Sequence, residues 1–361
     1  MRGADVSQPS LFITKTVEDF VPKEHPLRSI RKLVDQALDE MDGKFERLYA
    51  DEGRTSIAPE RLIRASLLQV LFTIRSERQL VEHIRYNLLY RWFVGLEMDD
   101  VVWHHATFSK NRERLLDESL MTNLFKSVLK IAQRHRLLST EHFSVDGTLI
   151  DAWASHKSFK PKEGNDDDGP SGGKERDFRA ERRSNETHVS STDPDAELMR
   201  KGNGMEARLR YGVHHLIENR HHLIVDANVE PAASVTEREV ALKLLKKASK
   251  DRRITVGGDK GFDTREFVKQ CRQHRITPHV AQNTARRGGS AIDDRTTRHA
   301  GYEISQRKRK MIETTFGWTK QYGGLRRMMY RGIDKVSARV KLVNSAFNLL
   351  RISHLVPIEA L

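Results

Sequence analysis

The sequence predicts an α/β protein in which an all-helical N-terminal domain precedes a mixed five-stranded sheet flanked by helices. Two patterns carry this expectation. Apolar residues recur at helical spacing from Pro59 to about residue 136, and after Glu141 short strand-like runs alternate with helical ones. At 361 residues the chain has room for two or three domains on a prior of roughly 100–200 residues each.

The elements follow in order. Residues 1–54 form a mixed N-terminal segment punctuated by Pro22 and Pro26. Pro59 suits the first turn of a helix, and Leu62, Ile63, Leu67, Val70 and Leu71 share its apolar face. Ser76 with Gln79 reads as a capping box opening a second helix, with Leu80, Val81, Ile84 and Leu88 inward. Helices from Thr107 and over 118–136 complete a helical domain at 55–137. The stretch from His142 to Ile150 reads as a strand. Residues 156–205 are rich in charge, Gly and Ser, include Asp166, Asp167 and Asp168, and predict a mobile insertion without a core. Arg208–Ile217 and His222–Val229 predict a hairpin turning at Glu218, Asn219 and Arg220. A helix at 235–250, a strand at Ile254–Val256, a helix from about 264 and a strand at Ile276–Val280 follow. A basic helix over 304–321 and a last helix over 334–354 close a second domain spanning 138–355. This element order is that of the ribonuclease-H-like fold.

Composition narrows the partners. Lys and Arg number 63 against 50 Asp and Glu, a formal charge of +13, which points to a polyanion. No apolar run approaches the roughly 20 residues that cross a bilayer, so nucleic acid is expected rather than a membrane. Cys271 is the single cysteine, which excludes a disulfide framework and a thiolate zinc site. With no hydrophobic leader at Met1–Asp5, a soluble cytoplasmic protein bound to the nucleoid is expected.

Three acids suit phosphodiester chemistry, which needs a few carboxylates converging from separate elements to hold two divalent ions roughly 3.5–4 Å apart. Asp146 ends the first strand, Asp259 follows a later one, and Glu313 lies on the basic helix. Each has a plainer reading: an Asp beside Gly is often a turn residue, and Glu313 could be one half of a surface ion pair. Between Ser305 and Arg331, however, eight cations (Arg307, Lys308, Arg309, Lys310, Lys320, Arg326, Arg327, Arg331) surround that one acid. Arg309 and Lys320 fall on its helical face. Asp263, three residues before Glu266, reads as a helix cap, and Asp151 is expected to face away from Asp146.

The run Arg309-Lys310-Met311-Ile312-Glu313 followed by Phe316-Gly317-Trp318-Thr319-Lys320 resembles the final signature of bacterial insertion-sequence transposases of the DDE type. It is most similar to the insertion-sequence-five group, whose pattern is Tyr, two residues, Arg, three residues, Glu, six residues, Lys. Gln306 stands where that group has tyrosine. Ser144–Thr148 and Gly258–Phe262 resemble the blocks around the family's first and second Asp. The resemblance implies that Asp146, Asp259 and Glu313 are catalytic and hold two Mg2+ ions, with Mn2+ as a substitute. It implies hydrolysis at the ends of the element and strand transfer into target DNA. Arg309 and Lys320 would contact phosphates, Arg112, Arg326, Arg327 and Arg331 would bind DNA, and the helical domain would recognise terminal inverted repeats on double-stranded DNA within a homodimer.

Other readings remain at this stage. A non-catalytic DNA-binding protein and a nuclease of the same fold share most of these features. The pairs His104-His105, His214-His215 and His221-His222 make poor chelates, since neighbours on a strand face opposite ways. Trp153 and Phe159 could stack on an unpaired base, although packing is the commoner role.

Overall fold

The computed structural model describes residues 14–48, 56–115, 117–162, 183–202, 204–250 and 252–361. The described N-terminal helices are α1 (Leu27–Asp39), α2 (Asp42–Phe45), α3 (Pro59–Leu71), α4 (Glu77–Tyr86), α5 (Leu88–Val94), α6 (Ala106–Leu115) and α7 (Glu118–Arg134). Pro59 is the first helical residue of α3, and the Ser76 side chain accepts from the Gln79 N–H at the start of α4. The helix expected from Ser76 through Leu88 is two helices. The side chain of Asn87 accepts from the N–H groups of Leu89 and Tyr90, so it ends α4 and caps α5.

The second part runs β1 (His142–Asp151), β2 (Phe159–Pro161), β3 (His188–Ser190), β4 (Glu197–Arg200), β5 (Ala207–Glu218), β6 (Ile224–Pro231), α8 (Glu237–Ser249), β7 (Ile254–Gly258), α9 (Arg265–Gln273), β8 (Ile276–Val280), α10 (Asp294–Thr297), α11 (Ala300–Arg309), α12 (Met311–Gln321) and α13 (Ile333–Leu355). β5 lies antiparallel to β1, and β1, β7 and β8 run parallel in that order. The far edge of β5 pairs with β6 and, lower down, with β4. The five expected strands are therefore present in the ribonuclease-H-like order.

The sixth strand corrects the reading of 156–205 as an unstructured insertion. β3 pairs with β2, β4 pairs with β5, and Asp193 is fully buried, accepting from the Tyr211 hydroxyl at 2.7 Å and the Gly332 N–H at 3.1 Å. A few polar anchors and backbone ladders fix this segment where its composition lacks core residues. The run Asp166, Asp167 and Asp168 lies outside the described residues.

Side chains of β1 alternate between two covered faces. Phe143 and Val145 join Leu216 in a core closed by Val240, Leu244 and Leu245 of α8 and by Phe267 and Val268 of α9. The opposite face of the sheet packs under α12 and α13, and α13 also lies along α7 and α1. The apolar core thus runs unbroken from α1 to α13, across the expected boundaries at residues 54 and 138.

Two further expectations change. The basic helix starts earlier and breaks at Lys310, so that α11 packs over β1, β7 and β8 while α12 packs on β1 and α13. Asp263 is not the cap of α9; Thr264 is, accepting from the Phe267 N–H. Asp263 is buried and accepts from the N–H groups of Asn283 and Ala291. Burial pushes its carboxyl up, but hydrogen bonds from Ser290, Asn283 and Ala291 outweigh that and hold it below its usual range.

One side chain joins α13 to the sheet. Fully buried Asn348 accepts from the Ile224 N–H at 3.0 Å and donates to the Ile224 carbonyl at 2.8 Å. Asn348→Leu leaves both backbone groups unpaired and should cost about 2–4 kcal/mol, given ~1–3 kcal/mol per unsatisfied buried group. Denaturant unfolding measures this, and an unchanged midpoint would show that the pair adds nothing.

Candidate active site

The pairing of β1 with β7 ends at Ser144 opposite Gly257. Asp146 and Asp259 each lie two residues beyond that last pair. Parallel neighbours are roughly 4.8 Å apart, and a two-residue step returns a strand side chain to the same face. Asp146 and Asp259 consequently share the end of the β1–β7 pairing, although Asp146 lies within β1, which runs on to Asp151, and not at the strand's end as expected; the charge of Asp259 acts on Asp146. Asp259 is also the N-cap of a 3₁₀ turn over Lys260–Phe262, where its Oδ1 accepts from the Gly261 N–H at 2.8 Å. Asp146 Oδ1 accepts from the Gly147 N–H at 2.8 Å.

A third carboxylate reaches this end of the sheet, and sequence reasoning missed it. Glu237 opens α8 and comes within hydrogen-bonding reach of both Asp146 and the Gly147 N–H. At the first position of a helix, beside the capping box of Thr236 and Glu239, it reads as an ordinary acid favoured by the helix dipole. Only the fold sets it against Asp146. Burial and the Glu237 and Asp259 charges push the Asp146 carboxyl up to about 7, and Glu237 is raised by burial and then by Asp259.

Glu313 sits in the first turn of α12 and is exposed. Among the described residues, no three Asp, Glu, His or Cys side chains gather tightly enough to enclose an ion as they stand. The close convergence expected of Asp146, Asp259 and Glu313 is therefore not the resting arrangement, in which Asp259 is turned to its cap and Asp146 to Glu237.

The two cations of the C-terminal signature do border the site. An added Cβ at Gly257 would lie 3.1 Å from the Arg309 Cβ, so the stem of Arg309 rests on β7 two residues before Asp259. Its Nε donates to Gln306 at 2.8 Å, and Gln306 in turn donates to the His279 carbonyl at the end of β8. The residue at the tyrosine position thus ties the arginine to the sheet. Lys320 donates to the Thr148 hydroxyl, two residues along β1 from Asp146, and burial holds its ammonium below its usual range. On the same face His215, paired across the strands with Asp146, is fully buried and stacked on Phe316 at 4.8 Å. Burial pushes its imidazole down to about 3.

The remaining sites lie apart. Arg326, Arg327 and Arg331 are exposed on a segment that hydrogen-bonds to Asp151 at the far end of β1. Arg327 lies 5.3 Å over the Trp153 ring, and Phe159 is buried against His188. Asp151 pairs with Arg208 and Arg210. Arg112 falls in α6, and its side chain lies outside the described residues.

Two family models match the chain. One, described as a Transposase domain (DUF772), spans residues 15–114, and the other, a Transposase DDE domain, spans residues 139–349, more than half of the chain. The chain belongs to the DDE transposase family. Curated proteins include no sequence match. Three solved structures have some likeness. A piggyBac transposase synaptic complex with hairpin DNA is 7% identical with a TM-score of 0.39, over 91% of this chain and 75% of that one. A pre-cleavage Mos1 transpososome is 10% identical with a TM-score of 0.21, over 92% and 93% of the two chains. A Mos1 mariner paired-end complex with Mn is 11% identical with a TM-score of 0.21, over 93% and 95%. At these scores the overlays carry no weight beside the strand order and the family match. The protein is a DNA transposase, an enzyme of a family that works with divalent metal ions. No described helix of the transposase is long and apolar enough to cross a membrane.

The recess over Gly147 is tight. A Cβ there would lie 2.5 Å from Glu237 Oε1 and 2.7 Å from His214 Nδ1. Gly147→Ala should therefore push α8 or His214 aside, lowering the melting temperature by several degrees for about 1–3 kcal/mol of overpacking. A melting curve identical to wild type would mean that the recess yields freely.

The raised Asp146 carboxyl gives a pH dependence. Between 3.8 and about 7 the folded chain keeps a proton that the unfolded chain has lost. Stability from this group is full below 3.8 and is lost as pH rises through about 7. In metal-free buffer the melting temperature should fall across that window, less steeply in Asp146→Asn. Equal slopes in the two proteins would assign the effect to another group.

Proposed function

We propose that the transposase cuts the ends of a bacterial insertion sequence of the insertion-sequence-five group and joins the freed 3′-hydroxyl to target DNA, with Asp146, Asp259 and Glu313 as its catalytic acids. The observation that carries this is the register: Asp146 and Asp259 stand two residues beyond the same β1–β7 pair, with Arg309 beside them. Glu313 follows Arg309 by four residues, in the first turn of α12 just past the break at Lys310.

The donor set fits a divalent metal. Two carboxylates forced together at a partly open strand end hold a proton that a cation would replace. Asp146, Asp259 and Glu313 would hold two Mg2+ ions, with Mn2+ as a substitute. When bound, such ions neutralise phosphate charge and polarise the attacking and leaving oxygens. The chain's own residues do the rest. Arg309, anchored through Gln306, presents its guanidinium to a phosphate next to the scissile bond. Lys320, tethered to Thr148, fixes a second phosphate along β1. Fixing two phosphates orients the bond over the acids and excludes water from its far side.

DNA positioning extends outward from there. Arg326, Arg327 and Arg331 are exposed where the flanking duplex would run, and such contacts fix register without reading sequence. The helical part, with Arg112 on α6, recognises the terminal inverted repeats, and two copies pair the two ends as a homodimer. The working place is the bacterial cytoplasm, on nucleoid DNA.

The test is cleavage of a labelled duplex carrying the element's end, with Mg2+. Wild type should nick at the end, while Glu313→Gln and Asp259→Asn should lose at least about a hundredfold in rate and still bind the duplex. Full cleavage by either variant would remove that residue from the site.

A further inference from the structure

We propose that Glu237 is a fourth carboxylate of the transposase's metal site, a ligand to one of the divalent ions held by Asp146 and Asp259. The proposal rests on the reading of those two acids as metal ligands.

Four observations lead there. First, Glu237 reaches Asp146 although the two belong to elements on different sides of the strand. Side chains of β1 on the α8 face are Phe143 and Val145, and the next on that face is Gly147. Its missing side chain opens a passage, and Glu237 Oε1 fills it, 2.5 Å from where a Cβ would stand. Second, the position is built. The capping box of Thr236 and Glu239 fixes the start of α8, and Val240, Ala241, Leu244 and Leu245 are buried beneath it. Arg238 donates to the Gly261 carbonyl at 3.2 Å, joining this helix start to the turn that Asp259 caps. Third, Glu237 is in no ion pair among the described residues, and the adjacent cation Arg238 is turned to the Gly261 carbonyl instead.

Fourth, the recess holds an unsatisfied polar atom. His214 is 7% exposed, and its Nδ1 has no hydrogen-bond partner, yet it stands 2.7 Å from the same point over Gly147. Its burial keeps the imidazole neutral, with its pKa pushed down to about 4. A buried nitrogen left without a partner costs free energy unless an ion or its waters occupy the recess. Glu237 Oε1 and the orphaned His214 Nδ1 face one small volume over Gly147, the residue next to Asp146, and a divalent cation or one of its waters there satisfies both.

The experiment is Mn2+ uptake by the full chain without DNA, at pH 8, read from the electron paramagnetic resonance signal of free Mn2+. Wild type, Asp259→Asn and Glu237→Gln are compared. Gln keeps the size of Glu237 and one side-chain acceptor oxygen. The expected result is at least about a tenfold loss of Mn2+ affinity in Glu237→Gln, as in Asp259→Asn, since even outer-shell partners account for 10–100-fold. Affinity within about twofold of wild type in Glu237→Gln, with Asp259→Asn weakened, would overturn the proposal and leave the two-aspartate site intact. No Mn2+ uptake by wild type would instead sink the reading of Asp146 and Asp259, and this proposal with it. If circular dichroism in EDTA shows that Glu237→Gln is unfolded, Glu237→Asp carries the test. That variant keeps the charge but withdraws it by one methylene, so unchanged affinity overturns the proposal and a several-fold loss supports it.

Discussion

The parallel pairing of β1 with β7 is the constraint on which the site depends. It covers three residue pairs, His142 with Thr255 through Ser144 with Gly257, and then the strands part. Everything chemical in this transposase is placed by that fork. Asp146 and Asp259 are brought to one level by backbone register alone, without any contact between their own elements further on. A one-residue slip would turn one of them to the other face of the sheet. The register is held from both sides. β5 lies along nine residues of β1, and β8 lies along all five of β7.

Placing acids together at that fork is unfavourable by itself, and the remaining charge of the site answers it. Asp146 and Glu237 meet where burial already disfavours charge, while Arg309 and Lys320 flank them from α11 and α12 without pairing with either. Arg309 is engaged by Gln306, and Lys320 by Thr148, both neutral groups. The acids therefore stay free for a cation and the bases for phosphate, instead of cancelling each other in ion pairs. The acids sit above the core under α8 and α9; Arg309 is on α11, whose Tyr302 packs against that same core, and Lys320 is on α12, which joins the core of α13.

Much of this was legible in the sequence because its causes are local. Alternation in His142–Ile150, the hairpin from Arg208 to Val229 and the stripe of α13 each follow from side chains a few positions apart. Asp146 and Asp259 were legible because each sits beside glycine in or just after a strand-like run, although Asp146 lies within β1 and not at its end. What was not legible depends on distant partners. β4 and the burial of Asp193 need Tyr211 and Gly332, which no composition of 156–205 reveals. Glu237 carries every mark of a helix-start acid, and only the path of α8 across β1 gives it another use. The break at Lys310 likewise separates helices with different distant partners, β7 and β8 for α11 and α13 for α12, with β1 shared by both.

The glycines beside the acids make the same point about space. Gly147, Gly257 and Gly258 flank Asp146 and Asp259, and such dipeptides usually mark turns. None of the three has a positive φ here. Each lies in a strand and is needed for what approaches it: Glu237 and His214 over Gly147, Arg309 and Ser144 over Gly257, and Phe262 at 3.2 Å over Gly258. A side chain at any of these positions would lift a helix or turn off the sheet and widen the recess. Three elements, α8, α11 and the turn after β7, can close on one strand end only because the strands are bare there. The small residues and the acids are therefore parts of one arrangement, in which the glycines set how near the charges can come and the acids set what must come with them.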